Sequence, residues 1–320
     1  MKYVQIPDVK QPVSRLVLGG AGSRFSACTD VSDLIGAALE HGINAIDTAR
    51  VYGRSEEAIG RWLTHGGRRE DLVIISKGCH PSMAFHRRVS AAAAADDLKR
   101  SLDALNTDRI DIYLLHRDDE SVPAGEIVDF LNRHYEEGKI GAFGGSNWTS
   151  ARVSEANAYA EKHGLKGFTV SSPHYSLGRQ RHDPWGNGCK TITGDKFAAD
   201  REYYIRTQMP VLAWSSLCNG VFSGKLASGD WSRLQSVFDF NTRWAYGCRD
   251  NLERLRRCEK AAADKGAAVA QIALAWLLAG PVCALPVITA SSPARIAENA
   301  AAADIELSAQ ECAWLDLSPV

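Results

Sequence analysis

None of the eight cysteines forms a C-x-x-C pair, so the chain offers neither a zinc knuckle nor a dithiol redox motif. An excess of charge of one sign is missing as well. With 37 Lys and Arg against 38 Asp and Glu, the net charge is −1. That balance gives no electrostatic reason to expect nucleic acid or an anionic membrane as a partner. The most apolar stretch, 267–280, is broken by Gln271 and stopped by Gly280-Pro281. It falls short of the roughly 20 residues that a bilayer span requires, and a buried helix is expected there. The opening residues, Met1 to Pro7, carry no apolar core of the secretory kind. With scattered cysteines, this points to a reducing cytoplasm. His80, His86, His134, His163, His174 and His182 show no metal-ligand spacing, so no metal is expected. Linkers, repeat arrays and low-complexity tracts are also lacking, which predicts one domain over residues 1–320.

Two runs imitate phosphate-binding loops and fail on inspection. Gly20-Ala21-Gly22 begins a dinucleotide fingerprint, but Phe25 stands where the third glycine belongs. The run from Gly220 to Leu226 has its glycines one residue too close for a P-loop, and Leu226 replaces the Ser or Thr.

What is present is an alternation of short apolar runs with longer helical patterns. Apolar content of 45% and charged content of 23% suit a globular protein with a large core. Strands are predicted at 15–18, 44–46, 72–76, 110–115, 140–143, 168–171, 211–213 and 283–287. Helices are predicted at 31–41, 56–63, 91–105, 126–136, 150–163 and 293–302, with Asp30 as a cap and Gly42, Gly138 and Gly164 as stops. Eight such units in about 300 residues predict a single closed (β/α)8 barrel; an open doubly wound sheet is the other arrangement compatible with the pattern. The segment before Leu16, with Pro7 and Pro12, reads as a small hairpin outside the barrel. Two long loops, from Pro173 to about Ile205 and from Leu217 to about Arg249, are rich in aromatics and read as substrate loops.

In a β/α barrel the residues just past the strand C-termini line the active site. Here those positions hold Asp47, Lys77, the run His116-Arg117-Asp118-Asp119, and Ser146-Asn147-Trp148, with Tyr52 on the loop after Asp47. Each has an ordinary use: a helix cap, a solvated ammonium, a satisfied histidine, a packed tyrosine. Together they make a chemical set. A phenol with a pKa of about 10 is a weak acid at neutral pH, and a nearby ammonium lowers that pKa. A carboxylate keeps the ammonium charged, and an imidazole orients a carbonyl.

Several longer motifs accompany these residues: Ile46-Asp47-Thr48-Ala49, Tyr52-Gly53-x-Ser55-Glu56, Ile75-Ser76-Lys77, Leu114-Leu115-His116, Gly145-Ser146-Asn147, and the block from Pro293 to Asn299. On these the chain resembles the aldo-keto reductases over nearly its whole length. The resemblance implies a (β/α)8 barrel that uses a nicotinamide cofactor without a Rossmann domain. It implies Tyr52 as proton donor, Lys77 and Asp47 as its tuning pair, and His116 as the group that orients the carbonyl. It implies that Ser146 and Asn147 hold the carboxamide, and that Trp214, Ser215 and Leu217 stack the nicotinamide ring and turn around the pyrophosphate. Arg295 would hold a 2′-phosphate and Asn299 the adenine, with Ser291 and Glu298 completing the set. Arg295 favours NADPH/NADP+, with NADH as the alternative. Two departures stand out. Ser172, counted with the cofactor contacts, replaces a glutamine that often bonds the carboxamide, so that contact is shortened or lost, and Thr289 replaces a lysine that some members carry.

The substrate pocket is expected to involve Arg24, Phe25, Arg117 and Trp148. The number of charged groups near the mouth, with Asp118 and Asp119 added, favours a sugar-like carbonyl over an apolar one; a solvated rim of internal ion pairs is the competing explanation. The expected partner is a small carbonyl compound. The rival function is a non-catalytic, nicotinamide-binding regulatory subunit of the same fold.

Overall fold

The computed structural model describes residues 1–81, 87–186 and 188–318. His86 and Asn187 lie outside them. A short antiparallel hairpin comes first, β1 (Tyr3–Val4) against β2 (Val13–Ser14). Eight parallel strands follow: β3 (Val17–Gly19), β4 (Ala45–Asp47), β5 (Val73–Gly78), β6 (Ile110–Leu115), β7 (Ile140–Ser146), β8 (Val170–Ser172), β9 (Val211–Ala213) and β10 (Ala284–Ile288). Each pairs with the next, and β10 closes on β3 through Val287–Val17 and Ile288–Leu18. The closed barrel, rather than the open sheet, is the architecture, with helices on its outside.

Strand parity organises the interior. Successive side chains on a strand point to opposite faces. Val17, Ala45, Val73, Ile75, Ile112, Leu114, Ala142, Val170, Leu212 and Leu285 form one buried cluster inside the barrel, and Ile6, Val9 and Val13 from the hairpin segment join it. Their neighbours Leu18, Ile46, Ile74, Tyr113 and Phe143 belong to a second cluster, packed against the helices. The inward set therefore advances by two residues along each strand, and at the C-terminal mouth it reaches Asp47, Lys77, His116, Ser146, Ser172 and Trp214.

Helix ends follow local chemistry. Ser90, Thr149 and Ser292 each accept a hydrogen bond from a first-turn backbone N–H. Asp30 was expected to cap this helix, but the cap position falls one residue later, at Val31, which offers no side-chain acceptor; Asp30 instead accepts from the N–H of Ser32 in the turn before the helix Ser32–Glu40. The segment 267–280 forms a buried helix, Val269–Ala279. No single helix among the described residues is long and apolar enough to cross a membrane.

The long loops carry more structure than expected. A helix spans Ala198–Thr207 between β8 and β9, and short helical pieces occupy 228–237 and 240–246. The first of these buries only Tyr204, so its sequence has no apolar stripe to announce it.

Candidate active site

The loop after β4 is built to hold Tyr52 over the barrel mouth. Gly53, at φ +60°, takes a left-handed turn, and a Cβ there would meet the Ser26 carbonyl at 2.9 Å. The Thr48 hydroxyl bonds that of Ser55 at 2.9 Å, at the start of helix Ser55–Thr64. Glu56, 1% exposed, accepts from the Ser76 hydroxyl at 2.6 Å and pairs with Arg50. The Tyr52 loop is thereby tied to β5, the strand that carries Lys77.

The Lys77 ammonium donates to Asp47 Oδ1 at 2.5 Å, to the Thr48 carbonyl at 3.1 Å and to the Tyr52 hydroxyl at 3.4 Å. The His116 ring stands edge-on to Tyr52, centroids 5.6 Å apart, and His80 stands edge-on to His116 at 4.8 Å. The four residues expected to act together are thus in contact. Burial acts to lower the Lys77 pKa, but Asp47 and Tyr52 outweigh it and the net shift is upward, so the lysine stays charged. Burial pushes Asp47 up against the pull of Lys77. Burial also raises the phenol of Tyr52, more than Lys77 lowers it. The lowering that was expected from the lysine is present but outweighed, and Tyr52 remains protonated at neutral pH. Burial, with Lys77 and Arg117 adding to it, drives His116 well below its usual pKa, so the imidazole is neutral.

Above this group lies a cavity of about 960 Å³. Its wall includes all four residues together with Ser146, Asn147, Trp214, Ser215, Leu217, Ser291, Arg295 and Asn299. Asn147 sits at φ +62° and ties the mouth together. Its amide donates to the His116 carbonyl and the Ser146 hydroxyl, its backbone N–H to Ser172, and its side-chain oxygen accepts from Lys190 N. A left-handed asparagine held by four bonds is strain maintained at a site. Asn299 is 1% exposed, and its Oδ1 has no partner among the described residues. The Trp214 indole N–H is likewise unpartnered. An orphaned amide acceptor, a flat indole face and the Arg295 guanidinium in one wall fit an adenine dinucleotide.

Arg24, Phe25 and Arg117 also line the cavity. Trp148 does not, and this corrects the expectation that it would. It is 1% exposed and packs between Phe168 and the Arg152 guanidinium. A Cβ on Gly145 would stand 2.5 Å from its ring, so the strand itself sits against it. Ser172 is not in the wall either. Its hydroxyl donates to the Leu212 carbonyl at 2.9 Å, and its own carbonyl accepts from Ser146 and Asn147. Glu298 also stays out of the wall and pairs with Arg295 at 2.8 Å. The charged rim resolves mostly into internal ion pairs: Arg24–Asp33, Arg152–Asp118 and Arg87–Asp119.

Other wall residues were not anticipated. Asn219, Gly220, Ser223 and Lys225 contribute, so the segment that fails as a P-loop still faces the cavity. Its small, hydroxylated and basic composition was the available signal. Thr289, His80, Trp185 and Cys189 contribute too. Among the described residues no three His, Cys, Asp or Glu side chains converge as a metal site.

Residues 15–317 match the family model described as "Aldo/keto reductase family". The uncharacterized oxidoreductase YrpG of Bacillus subtilis is 29% identical, across 96% of this chain and 92% of its own length. Aldo-keto reductase YhdN of the same organism is 27% identical, across 92% of this chain and 87% of its own. A putative voltage-gated potassium channel subunit beta of Schizosaccharomyces pombe is 28% identical, across 91% and 85%.

Proposed function

The chain belongs to the aldo/keto reductase family, and from that premise we propose that it is an NADP(H)-dependent reductase of aldehydes or ketones with Tyr52 as the proton donor. The observation that carries this reading is the contact chain Asp47–Lys77–Tyr52 beside a neutral His116, all in the wall of one cavity. A reduced nicotinamide, when bound, supplies a hydride to the carbonyl carbon. The remaining work falls to the protein. The neutral His116 donates a hydrogen bond to the carbonyl oxygen and orients it. As charge develops on that oxygen, Tyr52 gives up its hydroxyl proton to it. Lys77, kept charged by Asp47, stabilises the phenolate left behind. Burial of the mouth strengthens each of these interactions.

Ser146 and Asn147 are assigned to the carboxamide, Trp214 to the nicotinamide face, the run from Ser215 through Leu217 to Lys225 to the pyrophosphate, and Asn299 to the adenine. Arg295 supports NADPH over NADH because a guanidinium that engages Glu298 through one nitrogen retains donors for a 2′-phosphate. Action in a reducing cytoplasm on a small carbonyl, with neither nucleic acid nor membrane as partner, belongs to the same proposal; the free thiols of all eight cysteines support the compartment.

NADPH consumption against a panel of aldehydes, ketones and keto-sugars, with Tyr52→Phe beside the wild type, tests the reading. Loss of about 10²–10⁴-fold in turnover is expected in the variant. Retained turnover in Tyr52→Phe, or failure to bind any nicotinamide nucleotide, overturns it. A regulatory, nicotinamide-binding role is the second reading, favoured by the relative named as a potassium channel subunit beta. Tight cofactor retention with turnover near zero supports that role instead.

A further inference from the structure

We infer that the carbonyl substrate carries a carboxylate and that Arg117 is the residue that selects it. This rests on the reductase reading and names its substrate class.

Arg117 follows His116 directly, lines the cavity and is 9% exposed. Its guanidinium makes two contacts among the described residues: one to the His116 carbonyl at 2.8 Å and one to the Cys189 sulfur at 3.1 Å. Its Nε–H has no partner among the described residues. A guanidinium has five N–H donors, so this one is under-used.

None of the acids nearby makes an ion pair with it among the described residues. Asp118 pairs with Arg152 and Asp119 with Arg87. Asp47 holds Lys77. Asp183 keeps its charge, accepting only from the backbone N–H groups of Trp185 and Cys189, and makes no ion pair with Arg117. The residues at 82–86 and 187 are Ser, Met, Ala, Phe, His and Asn, with no acid among them. A buried cation without a counter-ion is costly, and the cost is relieved when an anion arrives.

The charge count then sets the class of anion. Lys77 is neutralised by Asp47. Burial pushes His80 and His116 down, so neither adds positive charge near neutral pH. Arg117 is then the cation beside the carbonyl-orienting histidine that makes no ion pair among the described residues. That matches a carboxylate monoanion; a phosphate ester dianion would leave one charge uncompensated. The cofactor's own phosphates are assigned to the wall from Leu217 to Lys225 and from Ser291 to Asn299, not to Arg117. This also replaces the expectation of a sugar-like carbonyl. That expectation rested on four charged groups at the rim, and Arg24, Asp118 and Asp119 are consumed by ion pairs.

The test uses matched substrates on the full-length protein: benzaldehyde against para-carboxybenzaldehyde, butanal against succinic semialdehyde, and glyceraldehyde against its phosphate ester. Wild type is compared with Arg117→Met and Arg117→Lys, after each variant's thermal midpoint establishes that it is folded. The carboxylated member should be preferred by at least about tenfold in kcat/KM, chiefly through KM, as for a charge-assisted hydrogen bond. The ratio should collapse in Arg117→Met and be intermediate in Arg117→Lys; should the methionine variant not fold, the lysine variant decides alone. A wild-type ratio near one, or a ratio that survives the substitutions, overturns the assignment. A larger Arg117-dependent effect for the phosphate ester overturns the choice of carboxylate.

Calorimetric binding of benzoate against benzamide, with and without NADP+, separates this inference from the reductase reading. Benzoate binding that is lost in the variant, in a protein that turns over no aldehyde, leaves the anion site standing while the reductase reading falls. Benzoate that binds no better than benzamide sinks the Arg117 inference whatever the turnover.

Discussion

Lys77→Met keeps most of the stem and removes the ammonium. In the folded protein that ammonium serves Asp47, the Thr48 carbonyl and Tyr52 at 2.5, 3.1 and 3.4 Å. Its loss leaves Asp47, 5% exposed, as a buried carboxylate with no other side-chain partner among the described residues. Breaking one side of a buried pair costs about 3–5 kcal/mol, most of it from the charge left behind. Adding Asp47→Asn removes that charge at nearly the same volume. The double variant should therefore return to within about 1–2 kcal/mol of wild type, since replacing a whole buried pair is often close to neutral. Turnover should not return with it, because neither variant has a cation to stabilise the Tyr52 phenolate. Urea denaturation read at constant m-value gives the stabilities, and NADPH oxidation gives the rates. The reasoning fails if the single variant loses less than about 1 kcal/mol, or if the double is as unstable as the single. It also fails if activity recovers along with stability.

Three further expectations follow from other parts of the structure. Burial lowers buried His174 to about 3, below its usual value of about 6.5. The unfolded chain therefore takes up that proton first as pH falls, so the stability this histidine contributes is present above about pH 6.5 and is lost towards about pH 3, at up to about 1.4 kcal/mol per pH unit. His174→Gln should remove about one proton from the acid slope of unfolding free energy, and an unchanged slope would contradict this. Glu56→Ala removes the carboxylate that ties Arg50 and Ser76 to the Tyr52 loop, and should cost about 2–4 kcal/mol in thermal or urea unfolding; a loss below about 0.5 kcal/mol would deny it that role. Arg295→Ala should weaken NADPH by about 10–100-fold while changing NADH little, and Glu298→Gln should shift preference toward NADPH; equal losses for both nucleotides by fluorescence titration would remove Arg295 from the phosphate.

The proposed catalytic group was legible in the sequence because Asp47, Lys77 and His116 fall at or just past predicted strand ends, and strand parity explains why they face one mouth. Once Ala45, Val73, Ile75, Ile112 and Leu114 are read as inward, Asp47, Lys77 and His116 must be inward too, at the mouth of whatever closed sheet those strands form. Tyr52 adds only a turn, and the left-handed Gly53 supplies it. The eight-strand alternation was legible for the same reason, since a period of two and a period of 3.6 are local signals. The helix Ala198–Thr207 was not, because it carries a single buried side chain and so no period.

Partner choice escapes a local pattern altogether. Asp118 and Arg152 lie 34 residues apart, and nothing in either neighbourhood announces the pair. The same holds for Ser172, whose hydroxyl is spent on the Leu212 carbonyl 40 residues away. Trp148 fell on the wrong side of a similar line. Its place after β7 suggested the pocket, but the absence of a Cβ on Gly145 opens a seat for the indole against the strand, and Phe168 and Arg152 cover it there. Arg117 shows the converse. Three charged residues at one strand end, Arg117, Asp118 and Asp119, look equivalent in sequence, and only the accounting of partners separates the one left without an ion pair from those already paired. For that reason the reaction class can be read from which way side chains face, whereas the substrate class depends on which charges are still unspent after the chain has folded.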